Sequence, residues 1–225
     1  MKLLLIDTCG ATGSVALAEA TTILASASLP GRTASERLVA TIKDLAERAG
    51  VPLQSLDAIG VVHGPGSFTG VRVGLSAAKG LCEALNIPLV AISRLAVLAH
   101  LAAAPPGKRV DALLDAGRGD FYLGTYLDGS RIREALVTRE ELLASVELPD
   151  LIVTCEPMLA ESLSALTPQF LAEPIAADAL PLVLSRIQAD DFDDPNTIDA
   201  NYLRRTDAEI FAKPIPKSAR EIPVR

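Results

Sequence analysis

A glycine-rich stretch at residues 61–85 holds the residue types that could bind an anion. It is VVHGPGSFTGVRVGLSAAKGLCEAL, in which glycines and a proline shape a turn ahead of a helix rich in small residues. Free N–H groups at a helix start attract phosphate. The spacing argues against a phosphate loop, because the dinucleotide motif needs G-x-G-x-x-G and a P-loop needs Gly-Lys-Ser/Thr, whereas Lys79 precedes Gly80. A structural or partner-contact role is favoured.

Few residues of this chain are candidates for metal ligands or activated nucleophiles. His63 and His100 are too far apart in sequence for an HExxH pair. The three cysteines lack CxxC spacing, which is typical of reduced thiols and gives no sign of zinc. Ser67 lies in G-S-F-T-G rather than in the G-x-S-x-G motif of hydrolases. The sequence therefore predicts no metal site and disfavours a peptidase.

One face of the helix that follows the turn carries only small residues. Gly70, Gly74 and Ala78 recur every four residues and share a helix face. Each glycine costs about 1 kcal/mol relative to alanine in a helix, which packing or function must offset. A face without bulk suits close approach of a second helix, so we expect a Gly74→Leu change to abolish partner binding and leave the isolated protein folded.

The elements around this stretch alternate between strands and helices. Hydrophobic runs between turn residues predict strands, and capping boxes followed by helical periodicity predict helices. In the first half, the predicted strands are residues 2–7, 13–18, 22–29, 57–62 and 88–93. The predicted helices follow the capping box at 33–36, begin near Gly70, and span 94–103. The predicted order is βββαβαβα.

The second half repeats the opening pattern after a Pro/Gly boundary at residues 104–107. The segment ALLDAGRGDFYLGTY matches LLLIDTCGATGSVALA: a hydrophobic strand ends in an aspartate, Asp115 or Asp7, and a glycine-containing turn leads to a second strand. A second capping box joins Thr138 to Glu141. We therefore predict a lobe at 1–103, a smaller lobe at 104–195, and a C-terminal extension at 196–225 that is partly loose.

Composition predicts a cytoplasmic globular protein. Hydrophobic residues make up 49% of the chain, and no apolar run reaches the ~20 residues of a membrane span. The net charge of −7 argues against a surface that binds nucleic acid throughout. Residues 201–225 are basic, so this tail could touch RNA or an acidic partner, although a solvated tail is the favoured interpretation. The four aspartates at 190–194 lack the spacing of a calcium loop and are interpreted as solvated.

The motif HGPGSFTGVRVGLSAAKGL resembles the TsaB (YeaZ) family, as do LDAIGVV, NIPLVAIS, DAGRGDFY and NYLR elsewhere in the chain. The doubled Asp-ended hairpin resembles the wider actin-like ATPase superfamily. This implies an α/β, two-lobed actin-like (RNase H-like) fold, with a mixed sheet and flanking helices in each lobe. In that superfamily, residues placed as Asp7 and Asp115 face a cleft that holds phosphates and a metal or water. Both are therefore candidate cofactor-binding residues.

The resemblance implies a noncatalytic role. Members of the family pair with TsaD, the subunit that transfers threonylcarbamoyl to the adenosine beside the anticodon of tRNA, and an ATPase, TsaE, joins them. By this resemblance we expect no catalytic residue, no metal and no required cofactor, although a nucleotide in the cleft stays open. Contact with tRNA would be indirect or through the basic tail, and a homodimer is expected when TsaD is absent.

Pairing through helices implies a set of partner-binding residues on two of the predicted helices. Arg72 is the polar group among them, held by a carboxylate or by the glycine-rich turn. The predicted partner-binding residues are Leu38, Ile42, Gly70, Val71, Arg72, Gly74, Leu75 and Ala78.

The alternative function is an independent actin-like ATPase or phosphotransferase. Such an enzyme needs two phosphate-binding turns rich in glycine and threonine. Gly10 and Thr12 match the first of these turns only weakly. Where glycines should approach an adenosine in the second lobe, the chain has Thr154-Cys155-Glu156-Pro157. The accessory role is therefore favoured over the enzyme.

Overall fold

In the computed structural model, which describes residues 1–30, 34–144 and 150–203, two mixed sheets of five strands each form two lobes. The elements of the first lobe are β1 (Lys2–Asp7), β2 (Thr12–Glu19), β3 (Thr22–Pro30), α1 (Ala34–Ala49), β4 (Ala58–Val62), α2 (Phe68–Leu85), β5 (Leu89–Ile92) and α3 (Arg94–Leu101). The predicted order βββαβαβα is thus confirmed. Thr33 of the predicted capping box lies outside the described residues.

The first sheet is built on β1. Its apolar run from Leu3 to Ile6 is fully buried, because β1 is the central strand and is covered on both faces. The strand β1 pairs antiparallel with β2 and parallel with β4, which gives the order β3-β2-β1-β4-β5. The carboxyl ends of β1 and β4 therefore lie side by side, and the turns that follow them meet at one edge.

The second lobe repeats this arrangement. Its elements are β6 (Arg109–Gly117), β7 (Asp120–Leu127), β8 (Ser130–Thr138), α4 (Arg139–Ala144), β9 (Leu151–Thr154), α5 (Pro157–Ser162) and β10 (Gln169–Phe170). The order β8-β7-β6-β9-β10 matches the first sheet strand for strand, with β6 antiparallel to β7 and parallel to β9. The predicted capping box is present, since Thr138 and Glu141 exchange hydrogen bonds of 2.8 and 3.2 Å. The predicted two-lobed α/β arrangement, with a mixed sheet and flanking helices in each lobe, is confirmed.

Two helices connect the lobes. Helix α3 packs Leu95 and Leu98 against the second sheet, although the sequence prediction assigns it to the first lobe. The final helix, α6 (Leu180–Gln188), follows a 3-10 turn and packs Val183 against Gly60 of the first sheet, although it was expected in the second lobe. The lobes are therefore tied by an exchange of helices rather than by a single linker.

The small face of α2 packs against its own lobe, so the predicted docking face is wrong. A Cβ added at Gly70 would lie 2.0 Å from the Thr8 backbone oxygen, and one at Gly74 would lie 2.3 Å from Thr8 Oγ1. Thr8 Oγ1 also donates a hydrogen bond of 2.6 Å to the Gly70 carbonyl. Ala78 is fully buried. The glycines allow the segment after β1 to pack closely on α2, so Gly74 and Ala78 are buried inside their own lobe.

The same correction applies to most of the other predicted partner-binding residues. Leu38 and Ile42 of α1 and Val71 and Leu75 of α2 are at most 4% exposed and belong to the first core. Bulky apolar side chains at helical spacing turn towards the sheet, because burial there removes the largest apolar area from water. Of the predicted set, only Arg72 is fully on the surface.

The acidic loop after α6 is not simply solvated. Arg186 forms ion pairs of 2.8 Å with Asp191 and 2.9 Å with Asp193. Asp193 also accepts the Ala91 N–H at 2.7 Å, at the edge of β5. This loop therefore covers the edge strand of the first sheet. Within the described residues, no helix is both long enough and apolar enough to cross a bilayer.

Two alanine substitutions test the direction in which α2 faces. We expect Gly70→Ala to lower the free energy of unfolding by about 1–3 kcal/mol, because the new Cβ would meet backbone. Gly80→Ala, where an added Cβ meets nothing within 4 Å, should raise it by up to about 1 kcal/mol through helix propensity. Urea denaturation of both variants measures the difference, and equal effects would contradict this packing.

Candidate functional site

A cleft of about 730 Å³ lies between the lobes. Its walls are the turn after β1, the turn before α2, the start of α3, the turn after β6 and the segment after β9. The residues that line it are Cys9, Gly10, Ala11, Gly66, Ser67, Arg94, Asp115, Ala116, Gly117, Tyr122, Cys155, Glu156, Pro157 and Glu173. The doubled sheet order thus brings the ends of β1 and β6 to the same cleft.

Asp7 stabilises the first hairpin turn through a hydrogen bond to its backbone. Its Oδ1 accepts the Cys9 N–H at 2.8 Å, and the residue is only 2% exposed. Burial raises the pKa of Asp7, while the neighbouring positive charge of Arg94 partly opposes that shift. Asp7 is therefore near the predicted cleft but supports the turn, and it does not line the open volume.

The second hairpin turn has the same internal bond. Asp115 Oδ1 accepts the Gly117 N–H at 2.8 Å, two residues on, as Asp7 does in the first turn. Asp115 itself is exposed and lines the cleft, as predicted. Its backbone N–H donates to Glu156 Oε2 at 2.6 Å, and burial raises the pKa of Glu156. An amide that could face a phosphate is thus bonded to a carboxylate of the chain.

An ion pair that the sequence reasoning missed spans the cleft. Arg94 begins α3 and is 5% exposed, and its Nη2 donates to Glu173 Oε1 at 3.0 Å. The same Glu173 oxygen accepts the Ala11 N–H of the first turn at 2.9 Å. A charged residue at the start of the otherwise apolar helix RLAVLAHL was the available signal for Arg94. Nothing local marks Glu173, which lies 79 residues further on.

The groups of this cleft that could attract an anion are already bonded to carboxylates of the chain. The Glu173 carboxylate is bound to the first-turn amide and to the guanidinium that would attract an anion. Asp115, Glu156 and Glu173 line the cleft, and Arg94 is the one cationic lysine or arginine side chain among its lining residues. Like charges brought together in a partly buried cleft repel. Among the described residues, no group of three or more His, Cys, Asp or Glu side chains is placed to hold a metal.

The cysteines of the cleft are not activated nucleophiles. Burial raises the pKa of Cys155 to about 11 and raises that of Cys9 well above its usual value. Cys9 Sγ donates to the Val62 carbonyl at 3.1 Å. His63 is outside the cleft lining and its Nδ1 lies 3.2 Å from the Asp199 carbonyl oxygen. The pair of groups that a thiol or serine peptidase needs is therefore not assembled in this cleft.

Asn201, the first residue of the NYLR motif, links the two lobes. The Asn201 N–H donates to the His63 carbonyl at 2.8 Å in the first lobe, and its Nδ2 donates to Glu134 Oε2 at 2.7 Å in the second. Glu134 also accepts from the Tyr126 hydroxyl. The asparagine of this motif thus has a structural role in holding the lobes together.

The outer side of α2 carries a different set of residues. Arg72 lies over the Phe68 ring, with 3.4 Å from Cζ to the ring centroid, and 5.4 Å from the Tyr202 ring. Within the described part of the chain, Arg72 therefore contacts two aromatic rings, and one of them, Phe68, belongs to the glycine-rich stretch that was expected to hold it. Ser76 and Gly80 continue this side and are exposed. We call Phe68, Arg72, Ser76 and Gly80 the outer α2 face.

Comparison with known proteins gives consistent matches. Residues 28–154 match the family profile described as TsaD: tRNA N6-adenosine threonylcarbamoyltransferase. The tRNA threonylcarbamoyladenosine biosynthesis protein TsaB of Escherichia coli is 35% identical over 127 residues, which is 56% of this chain and 55% of that protein. The protein of the same name from Bacillus subtilis is 33% identical over 148 residues, 64% of this chain and 62% of that protein.

Among solved structures, YeaZ from Pseudomonas aeruginosa superposes with a TM-score of 0.74 at 30% identity, covering 90% of this chain and 99% of that chain. The structural match therefore includes both lobes. The sequence alignments are shorter, since they span little more than half the length of the curated relatives, 55% and 62%.

The pH dependence of alkylation tests the state of the cleft thiols. At pH 8, a pKa near 11 leaves about one thousandth of Cys155 as the reactive thiolate, against about one tenth for a pKa of 9. We expect its rate of reaction with iodoacetamide to rise about tenfold per pH unit from pH 8 to 10. Mass spectrometry of the labelled peptide measures it, with circular dichroism to confirm folding. A plateau above pH 9 in the folded protein, as expected for the chain in urea, would contradict this environment.

Proposed function

The chain belongs to the TsaB (YeaZ) family, and from this premise we propose that it is a noncatalytic subunit in the formation of threonylcarbamoyladenosine on tRNA. Its relatives from Escherichia coli and Bacillus subtilis are named for that biosynthesis. The proposed role is to bind and activate TsaD, the transferase. The transfer chemistry would then take place on TsaD.

The proposal of a noncatalytic role rests on one observation: a carboxylate of the chain occupies the position in the cleft where an anion could bind. Glu173 bonds both the Ala11 amide and Arg94, where an ATPase of this fold needs room for phosphate. An independent ATPase or phosphotransferase would also need a carboxylate free to position metal or water. Asp7 is buried and bonded to the Cys9 amide. The cleft is therefore better suited to holding the lobes together than to turnover, and no cofactor is required.

The choice of TsaD as partner is supported by the likeness between the two chains. More than half of this chain, residues 28–154, matches the TsaD family profile. Two related folds can pair through equivalent faces, in the way that identical subunits pair about a twofold axis. The same argument supports a homodimer when TsaD is absent. An isologous pair and a pair of related chains would then compete for one surface.

The outer α2 face is the surface that we assign to this pairing, in place of the buried face predicted from the sequence. Phe68 is 55% exposed, and Val39 on the neighbouring helix α1 is 54% exposed. Ser76 and Gly80 leave the middle of α2 without bulk, and open space surrounds Gly80. Exposed apolar groups beside small residues favour close packing of a partner helix.

The remaining partners are proposed from the composition of the complex, and no contact within the described residues is used to identify them. TsaE would join the pair, and tRNA would be bound by the complex or by the basic tail. Most of that tail, residues 204–225, lies outside the described residues. A cytoplasmic location is proposed because tRNA modification takes place there.

Two serine substitutions test the assigned surface. Ser76→Arg should reduce capture of TsaD at least about tenfold, because a long cationic side chain would separate the packed helices. Ser185→Arg, on the exposed side of α6, is the matched control and should bind TsaD as the natural chain does. Titration of immobilised TsaD with both variants measures affinity, and thermal melting checks folding. Equal loss in both variants, or none in Ser76→Arg, would contradict the assignment.

A further inference from the structure

Arg94 is a buried charge with an incomplete set of partners. Its side chain is 6% exposed, and its Nε is buried without a hydrogen-bond partner among the described residues. Its Nη2 reaches the cleft, where it bonds Glu173. A buried guanidinium requires an anion, because removing an unpaired charge from water is strongly unfavourable. Arg94 therefore marks an anion position at the floor of the cleft.

The first hairpin turn completes that position. The Ala11 N–H points at the same Glu173 oxygen, at 2.9 Å. Gly10 leaves room for it, since a Cβ there would lie 2.0 Å from Glu173 Oε1 and 2.9 Å from Arg94 Nη2. One backbone amide, one guanidinium and a residue without a side chain thus surround a single carboxylate oxygen. These groups would suit an oxygen of inorganic phosphate equally well.

The occupant comes from the chain itself. Glu173 follows β10 of the second lobe, and its segment is anchored to the first lobe because the Ala176 N–H donates to Ser14 Oγ at 2.8 Å. The Glu173 side chain is 35% exposed, so one side of it faces the open cleft. The carboxylate is tethered close to its site, which gives it a high effective concentration over free anions.

We propose that Glu173 is a built-in occupant of an oxyanion site formed by Arg94, Gly10 and the Ala11 amide, and that it excludes phosphate from the cleft while bridging the lobes. Removing its charge converts the cleft into a site for inorganic phosphate. The site is distinct from the outer α2 face, so this inference stands or falls separately from pairing with TsaD.

Phosphate binding by variants of Glu173 tests the proposal. Isothermal titration with inorganic phosphate should show no saturable binding to the natural chain, and binding at least about tenfold tighter to Glu173→Ala. Glu173→Gln keeps an acceptor for the Ala11 amide without the charge, and serves if the alanine variant does not fold. Glu161→Ala, at an exposed position of α5, is the matched control and should behave as the natural chain.

The role of Arg94 is tested by adding Arg94→Gln to Glu173→Ala, which should return phosphate binding to the level of the natural chain. Two results would overturn the proposal: the natural chain binds phosphate as tightly as the folded Glu173 variants, or those variants bind none. Capture of TsaD by the same variants provides a separate measurement. Loss of TsaD binding in Ser76→Arg without a gain of phosphate binding in Glu173→Ala would contradict this proposal alone, and the gain without that loss would contradict the pairing surface alone.

Discussion

The buried charge of Arg94 is the constraint on which the cleft and the position of the lobes depend. Burial opposes the charged form, but the carboxylates of Asp7 and Glu173 are near enough that its pKa is raised. Leaving such a charge unpaired costs several kcal/mol. One of its partners, Glu173, lies in the segment that follows β10 of the second lobe. The ion pair between Arg94 and Glu173 therefore also holds the two lobes together. The same contact fills the place where an anion would enter.

Duplication of one sheet order makes this closure possible. In both sheets the central strand carries an aspartate at or near its carboxyl end, and each aspartate accepts the amide two residues on, as shown by Asp7 with Cys9 and Asp115 with Gly117. The two turns then face each other across the cleft. In this chain the facing amides are bonded to Glu173 and Glu156. Both hairpin turns are thereby bonded to carboxylates of the chain, which supports the proposed noncatalytic role.

Much of the fold could be predicted from local pattern, whereas the direction of one helix could not. Alternation and capping residues predicted the order of strands and helices along the first lobe, the repeated hairpin and the capping box at Thr138. The spacing of Gly70, Gly74 and Ala78 defines a face of α2, but spacing does not tell which side is buried. Arg72, Ser76 and Gly80 lie two positions on, about 200° around the helix, and are small or exposed as well. The pairing of Arg94 with Glu173 depends on the folded arrangement, so the sequence alone could not show it.

The central claim is that the cleft of this chain performs no chemistry in threonylcarbamoyladenosine formation. The most direct measurement is the rate of tRNA modification by TsaD and TsaE reconstituted with an Asp115→Asn variant, which keeps the acceptor for the Gly117 amide and removes the exposed carboxylate. The account predicts a rate within about twofold of that with the natural chain. A loss of about tenfold or more, with TsaD still bound at normal affinity, would contradict it.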